Sequence, residues 1–159
     1  MSEDLRYEIK VVANEINFSV FNKWLHIETD FFKKYPDRQI NSLYFDDYNF
    51  SCVKDNLSGI AQRRKYRLRW YGSNEEELSD PIFEIKIKNG RLGSKRYFNV
   101  PELNNKLNNL KIRQIQEITL SKNKNKKLFF DKDLNPSLIV SYKRNYFENN
   151  NDIRITVDN

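Results

Sequence analysis

The sequence has few of the residues on which several common chemistries depend. Its 159 residues include one cysteine, Cys52, and one histidine, His26. One cysteine cannot form an internal disulfide or a Cys-x-x-Cys zinc site. With one histidine, and with no Gly-x-Ser-x-Gly or Gly-x-Gly-x-x-Gly string, the chain offers no hydrolase triad and no dinucleotide-binding loop. We expect Cys52 to be a small, partly buried residue and His26 to pack on a helix.

Long apolar runs and a basic amino-terminal leader are also missing. No stretch approaches the roughly 18 apolar residues that a membrane-spanning helix needs, and the chain begins with the acidic string Met1-Ser2-Glu3-Asp4. These features predict a soluble, cytoplasmic protein without membrane insertion. Any coupling to a membrane would then need another chain.

Aromatic and basic residues are plentiful. Phe, Tyr and Trp make up 14% of the chain, which excludes a disordered protein, and the length predicts a single domain over residues 1–159. The 28 Lys and Arg exceed the 22 Asp and Glu by six, so the expected partner is an anion such as nucleic acid, phosphate or a lipid headgroup. Net charge alone does not choose among these.

Apolar spacing predicts an α+β chain. Spacings of three and four predict a helix from Asn14 to Tyr35, ending before Pro36, and one or two shorter helices after Pro101. The polar stretch 121–127 that follows them is interpreted as a solvated loop. Period-two alternation predicts seven strands, which indicate a largely antiparallel, closed or nearly closed sheet: Leu5–Val12, Asn41–Asp46, Ala61–Tyr71, Ile82–Lys88, Lys95–Val100, Ser137–Phe147 and Asp152–Asp158.

The alternation separates charged from apolar side chains on four strands. The charged faces carry eight bases and three acids, namely Arg6, Lys10, Lys65, Arg67, Arg69, Lys86, Lys88 and Arg154 against Glu8, Glu84 and Asp158. One interpretation is an ordinary half-buried sheet with its polar face in water. The other is a small barrel whose charged face points into a lumen, where converging cations persist only if an anion or acidic side chains compensate them. The excess of bases favours the second interpretation.

Arginine and lysine together suit a chain of phosphates. Arginine supplies planar paired donors and lysine a compact charge, while the few acids could hold a divalent cation that bridges phosphate oxygens. Nucleic-acid binding would instead place exposed aromatics among the cations, whereas here the aromatics mostly occupy the apolar face. We therefore expect no nucleic acid as partner.

Six strings along the chain carry a family resemblance: NSLYFD at 41–46, RKYRLRWYG at 64–72, FEIK at 83–86, GSKR at 93–96, SYKR at 141–144 and IRITVD at 153–158. Together they resemble the VTC domain. This is the polyphosphate polymerase domain of the vacuolar transporter chaperone complex and its bacterial relatives, within the CYTH-like superfamily of triphosphate tunnel metalloenzymes. The resemblance runs in order from about Arg6 to Asp158.

The resemblance implies an antiparallel β tunnel barrel with flanking helices that binds ATP, triphosphate and polyphosphate with Mn2+ or Mg2+. It implies that cations at seven positions point into the tunnel: Arg6, Arg67, Arg69, Lys86, Lys95, Arg144 and Arg154. Of these, Arg67, Arg69 and Lys86 are expected to act in catalysis and the others in substrate binding. Strand alternation places Lys10, Lys65 and Lys88 on the charged face, and they are therefore added to the substrate-binding group. Alternation does not settle which face of its strand Lys95 occupies. Glu8 and Glu84 are candidate metal ligands, with cross-strand salt bridges as the alternative.

The departure from the family is at the carboxyl end. Similar proteins continue past the Ile-Arg-Ile-Thr-x-Asp strand into a strand with a metal-binding glutamate and then a helix, so the barrel is expected either to be truncated or to be closed by something else, or the activity to be lost. Three functions stay open: polyphosphate polymerase, triphosphate or nucleoside triphosphate hydrolase, and a non-catalytic polyphosphate-binding module. The hydrolases usually open with Glu-x-Glu-x-Lys, and Arg6 in place of the first glutamate favours the polymerase.

Overall fold

A computed structural model of the protein describes residues 9–73, 77–104, 107, 110–122 and 133–159. These residues form two compact units. The first comprises the described residues of 39–141, and the second comprises 9–38 together with 142–159. That residues 1–159 make a single domain stays a prediction.

The described residues form three α-helices, one 3-10 turn and six strands. In chain order they are α1 Glu15–Ile27, β1 Phe32–Asp46, α2 Ser51–Leu57, β2 Gln62–Tyr71, β3 Ile82–Asn89, β4 Leu92–Asn99, a 3-10 turn Pro101–Leu103, α3 Ile112–Lys122, β5 Asn135–Glu148 and β6 Arg154–Asp158. Neighbouring strands follow the order β4-β3-β2-β1-β5-β6. The pairs β1–β2, β2–β3, β3–β4 and β5–β6 are antiparallel. The predicted α+β class with an antiparallel sheet is confirmed.

The core of the first unit lies on one face of its strands. Alternate residues of β2 (Tyr66, Leu68 and Trp70) are buried there, beside Phe83 and Ile85 of β3. Leucines and isoleucines from outside these strands join the same cluster: Leu78, Leu103, Leu110, Ile115 and Leu134. This arrangement confirms the predicted facing of β2 and β3, and it leaves the charged residues of both strands on the opposite face.

The first helix is shorter than predicted, and the strand after it is longer. α1 ends at Ile27, where the Thr29 hydroxyl donates to the Leu25 carbonyl over 2.6 Å. β1 begins at Phe32 and runs through Pro36 instead of starting at Asn41. A proline is tolerated because β1 pairs with β2 only from Ile40 to Phe45, so the missing amide interrupts no bond to β2.

One further prediction fails in the described residues, and one helix was missed. Residues 9–12 of the predicted first strand are not a strand, and the side chains of Ile9, Val11 and Val12 are almost fully exposed. Alternation alone does not form a strand without a neighbour to pair with. Conversely, α2 was not predicted. It is held by Asp46, whose two carboxylate oxygens accept the amides of Cys52 at 2.9 Å and of Val53 at 3.1 Å.

The remaining strand predictions are confirmed with small shifts at their ends, the largest being the start of β4 at Leu92 rather than Lys95. Cys52 is buried, and His26 on α1 packs edge-to-face on Phe147 with ring centroids 5.5 Å apart, both as expected. Of the polar stretch 121–127, residues 121 and 122 end α3 and the rest lie outside the described residues. No helix in the described residues is both long enough and apolar enough to span a membrane.

A partly buried group of neutral polar side chains joins β1, β5 and the end of β2. Gln39 donates to the Ser141 hydroxyl, which donates to the Asn41 side-chain oxygen, each over 2.6 Å. The Asn41 amide then donates to the Gly72 carbonyl over 3.0 Å. Asn41 is fully buried, and Gly72 has a φ of 145°, which a residue with a side chain rarely adopts. These bonds hold the strand ends in one alignment.

Candidate functional site

Six side chains of the first unit form what we call the charged face: Lys65, Arg67 and Arg69 of β2, Glu84 and Lys86 of β3, and Lys95 of β4. Cross-strand register brings them together. Arg67 lies opposite Glu84, while Lys86 lies opposite both Lys65 and Lys95. Side chains on directly opposed residues share one face of the sheet, so the facing of Lys95, which the sequence left ambiguous, is resolved.

The two arginines of the charged face converge on one carboxylate. The Arg67 guanidinium forms a short ion pair with Glu84 through Nε and Nη2, and Arg69 Nη1 lies 3.5 Å from the other Glu84 oxygen. The side chains of Glu84, Arg69 and Arg67 are only 6%, 11% and 16% exposed. This part of the face is therefore not an ordinary solvated sheet surface.

The surroundings stabilise the charge on Arg67 and leave a donor of Arg69 unused. Burial alone would lower the pKa of Arg67, but the charge of Glu84 and the contact with Tyr44 outweigh it and raise that pKa. Tyr44 on β1 accepts from Arg67 Nη1 over 3.3 Å. The buried Nε of Arg69 finds no hydrogen-bond partner among the described residues. A buried cationic donor without an acceptor is costly, and a phosphate oxygen is the kind of acceptor that would satisfy it.

A row of three lysines adjoins the arginines. Lys65, Lys86 and Lys95 stand side by side on adjacent strands, and like charges directly opposite one another destabilise a sheet. The pKa of Lys95 is lowered by burial and by the charge of Lys86, with Arg67 and Arg69 adding to the effect and Glu84 opposing it. An anion placed over this row would relieve the repulsion.

The second unit holds the two other described cations that the resemblance points to. Arg144 makes a bidentate pair with Asp158 on β6, at 2.5 and 2.6 Å, and its guanidinium lies 5.2 Å from the centre of the Tyr142 ring. The hydrogen bonds to Asp158 raise the pKa of Arg144. Arg154 Nε lies 3.6 Å from Glu148, which also pairs with Lys34 at 3.1 Å. Both cations thus contact acids within their own unit.

The remaining candidate residues do not all lie on the charged face. Arg6 and Glu8 lie outside the described residues. Lys10 is exposed on the segment before α1, so the strand facing that selected it is wrong, because that segment forms no strand. Lys88 lies opposite Arg63, in line with the charged face. Sequence reasoning missed Tyr44 and Arg63. Arg63 could have been found, because it lies on the same face of β2 as Lys65 and Arg67, and Tyr44 lies opposite Arg67.

The described donors do not fit a metal ion held by the protein. Glu84 is the carboxylate of the charged face, and its two oxygens are directed at Arg67 and Arg69. Within the part of the chain that the structure describes, no three His, Cys, Asp or Glu side chains group to hold a metal. Glu84 thus has the cross-strand salt bridge named as its alternative role, and its metal role and that of Glu8 stay predictions. A divalent ion bound mainly by substrate phosphates needs fewer protein carboxylates.

The pattern of the whole chain matches a known family. No curated protein matches the chain. The VTC domain family matches it over residues 5–159, which is nearly its full length. VTC domains are associated with polyphosphate metabolism, which accords with a partly buried cationic face suited to phosphates. The chain therefore belongs to the VTC domain family.

Proposed function

We propose that the protein is a metal-dependent phosphotransferase of the polyphosphate polymerase type, which passes the γ-phosphate of ATP to the end of a growing polyphosphate chain. The observation that carries the proposal is the convergence of Arg67, Arg69 and the row Lys65, Lys86 and Lys95 on one partly buried face. A triphosphate carries several closely spaced negative charges, and this face presents several closely spaced positive ones.

The chemistry asks the protein chiefly for positioning and charge neutralisation. An oxygen of the acceptor's terminal phosphate attacks the γ-phosphorus, the bond from that phosphorus to the bridging oxygen breaks, and ADP leaves. No side chain needs to become a covalent nucleophile. In this proposal Arg67 and Arg69 hold phosphate oxygens with paired donors, and Lys86 neutralises charge on the transferring group. Mn2+ or Mg2+ would enter with the substrate and would supply further positive charge to the phosphates.

Glu84 has a preparatory role in this proposal. Its carboxylate compensates the positive charge of both guanidiniums before substrate binds. Phosphate oxygens then compete with Glu84 for the same donors.

A polyphosphate-binding module is the second candidate, and the absence of a carboxylate cluster within the described residues favours it. Such a module would use the same cations, leave ATP intact and be indifferent to Mn2+. A triphosphate hydrolase would require the metal and release free phosphate. The three candidates thus differ in products and not in the phosphate contacts of the charged face.

The test is to incubate the purified protein with ATP and Mn2+ and to measure long-chain polyphosphate on a stained gel and free phosphate in solution. Polyphosphate formation that Arg69→Gln abolishes, and that Arg113→Gln retains, supports the polymerase. Arg113 is a matched control because its guanidinium is exposed on α3 and pairs with Glu117. Free phosphate without long chains would replace the polymerase by the hydrolase, and tight triphosphate binding without either product would leave the binding module.

A further inference from the structure

A cleft of about 320 Å³ lies in the first unit where β2 begins and β3 ends. Gln62, the first residue of β2, pairs there with Asn89, the last residue of β3, and both line the cleft. Cys52 and Asp55 of α2 line it as well. The cleft thus lies at the ends of the strands, away from the arginine–glutamate pair in their middle.

Both faces of the sheet contribute cations to this cleft. Arg63 and Lys88 lie opposite each other and share the parity of the charged face, whereas Arg64 shares the parity of the buried Tyr66. All three cations line the cleft, where the facing acid is Asp55. Three cations beside one acid in a concave space produce a positive potential that attracts an anion.

Arg63 and Lys88 connect the charged face to the cleft at the end of the sheet. The other strand residues that line the cleft share the parity of the buried face: Gln62, Arg64, Tyr66, Ile87 and Asn89. Along β2 and β3 the opposed pairs run from Arg67 and Glu84, through Lys65 and Lys86, to Arg63 and Lys88. Four residues of strand span about 14 Å, so the positive strip leads about that far from Arg67 to the cleft. One cleft residue is already oriented, because Arg63 Nη1 donates to the Ile60 carbonyl over 2.6 Å.

We infer that this cleft is a second phosphate site, which binds the part of a polyphosphate chain that extends beyond the charged face. The inference rests on the proposed function, since it takes polyphosphate to be the ligand of the charged face. A triphosphate held by Arg67 and Arg69 is shorter than the strip and does not reach the cleft. A long chain that passes around the end of the sheet beside Arg63 and Lys88 occupies both. The cleft therefore makes affinity depend on chain length and retains the product between successive transfers.

The experiment compares tripolyphosphate with long-chain polyphosphate by calorimetric titration at one ionic strength. The test variants are Arg64→Gln and Arg63→Gln, and Lys54→Gln is the control, because Lys54 is exposed on α2 and does not line the cleft. Losing one charged hydrogen bond to phosphate should weaken long-chain binding about tenfold in each test variant. Tripolyphosphate binding should stay within about twofold in all three.

Arg64→Lys keeps the positive charge, and its polyphosphate binding can be measured if Arg64→Gln unfolds. It should retain most of the long-chain affinity, because lysine still supplies a point charge. If the variants bind tripolyphosphate and long-chain polyphosphate with equally reduced affinity, the cleft and the charged face form one site, and the inference of a second site is overturned. Unchanged long-chain binding in Arg63→Gln and Arg64→Gln would overturn the inference alone. A wild-type protein that binds neither ligand would instead overturn the proposed function, and this inference with it.

Discussion

Glu84→Gln tests whether the buried carboxylate holds the two arginines in place. The change keeps the size of the side chain and a carbonyl acceptor but removes the negative charge that faces Arg67 and Arg69. Removing one partner of a buried ion pair costs about 3–5 kcal/mol, because the remaining charge stays buried without compensation. The side chains of Arg67 and Arg69 are still 16% and 11% exposed to solvent. We therefore expect a loss of unfolding free energy at the lower end of that range, about 3 kcal/mol.

For a chain of this size that loss of unfolding free energy lowers the thermal midpoint by about 6–12 °C. Tripolyphosphate should reverse much of the loss, since its oxygens supply the missing negative charge. At one hundred times the dissociation constant a ligand adds about 2.7 kcal/mol, and the variant should gain more than the wild type at equal ligand concentration. The assay is thermal unfolding followed by circular dichroism, with and without tripolyphosphate.

The matched control is Asp158→Asn, which removes a carboxylate from a more exposed arginine pair. Asp158 is 44% exposed beside Arg144, so its loss should cost about 1 kcal/mol or less. If Glu84→Gln melts at the wild-type temperature without ligand, the arginines do not depend on Glu84 and the reasoning fails. An equal ligand-induced shift in variant and wild type would show that phosphate and Glu84 do not share the arginine donors.

Three further changes test other parts of the structure. The lowered pKa of Lys95 means that the unfolded chain binds more protons than the folded one between that pKa and the ordinary 10.5, so stability should rise with pH across this window. Lys95→Arg stays protonated and should abolish the rise in urea melts taken at alkaline pH. Leu68→Asp places a charge at a fully buried position between Leu43 and Phe83, so the cooperative melt should be lost, and a native-like melt would disprove the β2 register. Asp46→Ala removes the acceptor for the second and third amides of α2 and should cost about 1–2 kcal/mol in urea, whereas a change below about 0.5 kcal/mol would contradict the capping role.

The sequence correctly predicted which face of the sheet each side chain occupies where a strand has a paired neighbour on both sides. Lys65, Arg67 and Arg69 alternate with buried neighbours because β2 has a strand on each side and one face packed on a core. The same alternation failed at residues 9–12, where the described segment is exposed. A single strand segment contains no information about its neighbour, so period two is necessary but not sufficient.

The end of α1 shows a second limit. Phe31, Phe32 and Tyr35 fit helical spacing, yet β1 begins at Phe32, and Tyr35 packs edge-to-face on Tyr146 of β5 at 5.9 Å. That partner is more than a hundred positions away, so local spacing could not reveal it. The pairing of Glu84 with both arginines depends likewise on the register between β2 and β3. Sequence reasoning could place the three residues on one face but could not determine which atoms meet.

The partly buried, hydrogen-bonded chain of Gln39, Ser141 and Asn41 bears on how the protein avoids a misaligned native state. A shift of β1 by one residue would exchange its two faces, bringing Tyr44 into the core and Leu43 beside the arginines. Apolar contacts alone penalise such a shift only gradually, whereas amides and a hydroxyl with matched donors and acceptors satisfy one another in one alignment. Replacing Asn41 by an apolar residue of similar size should therefore yield coexisting registers more than a large loss of stability. Uncharged side chains outside the charged face thus help to determine which side of the sheet is cationic.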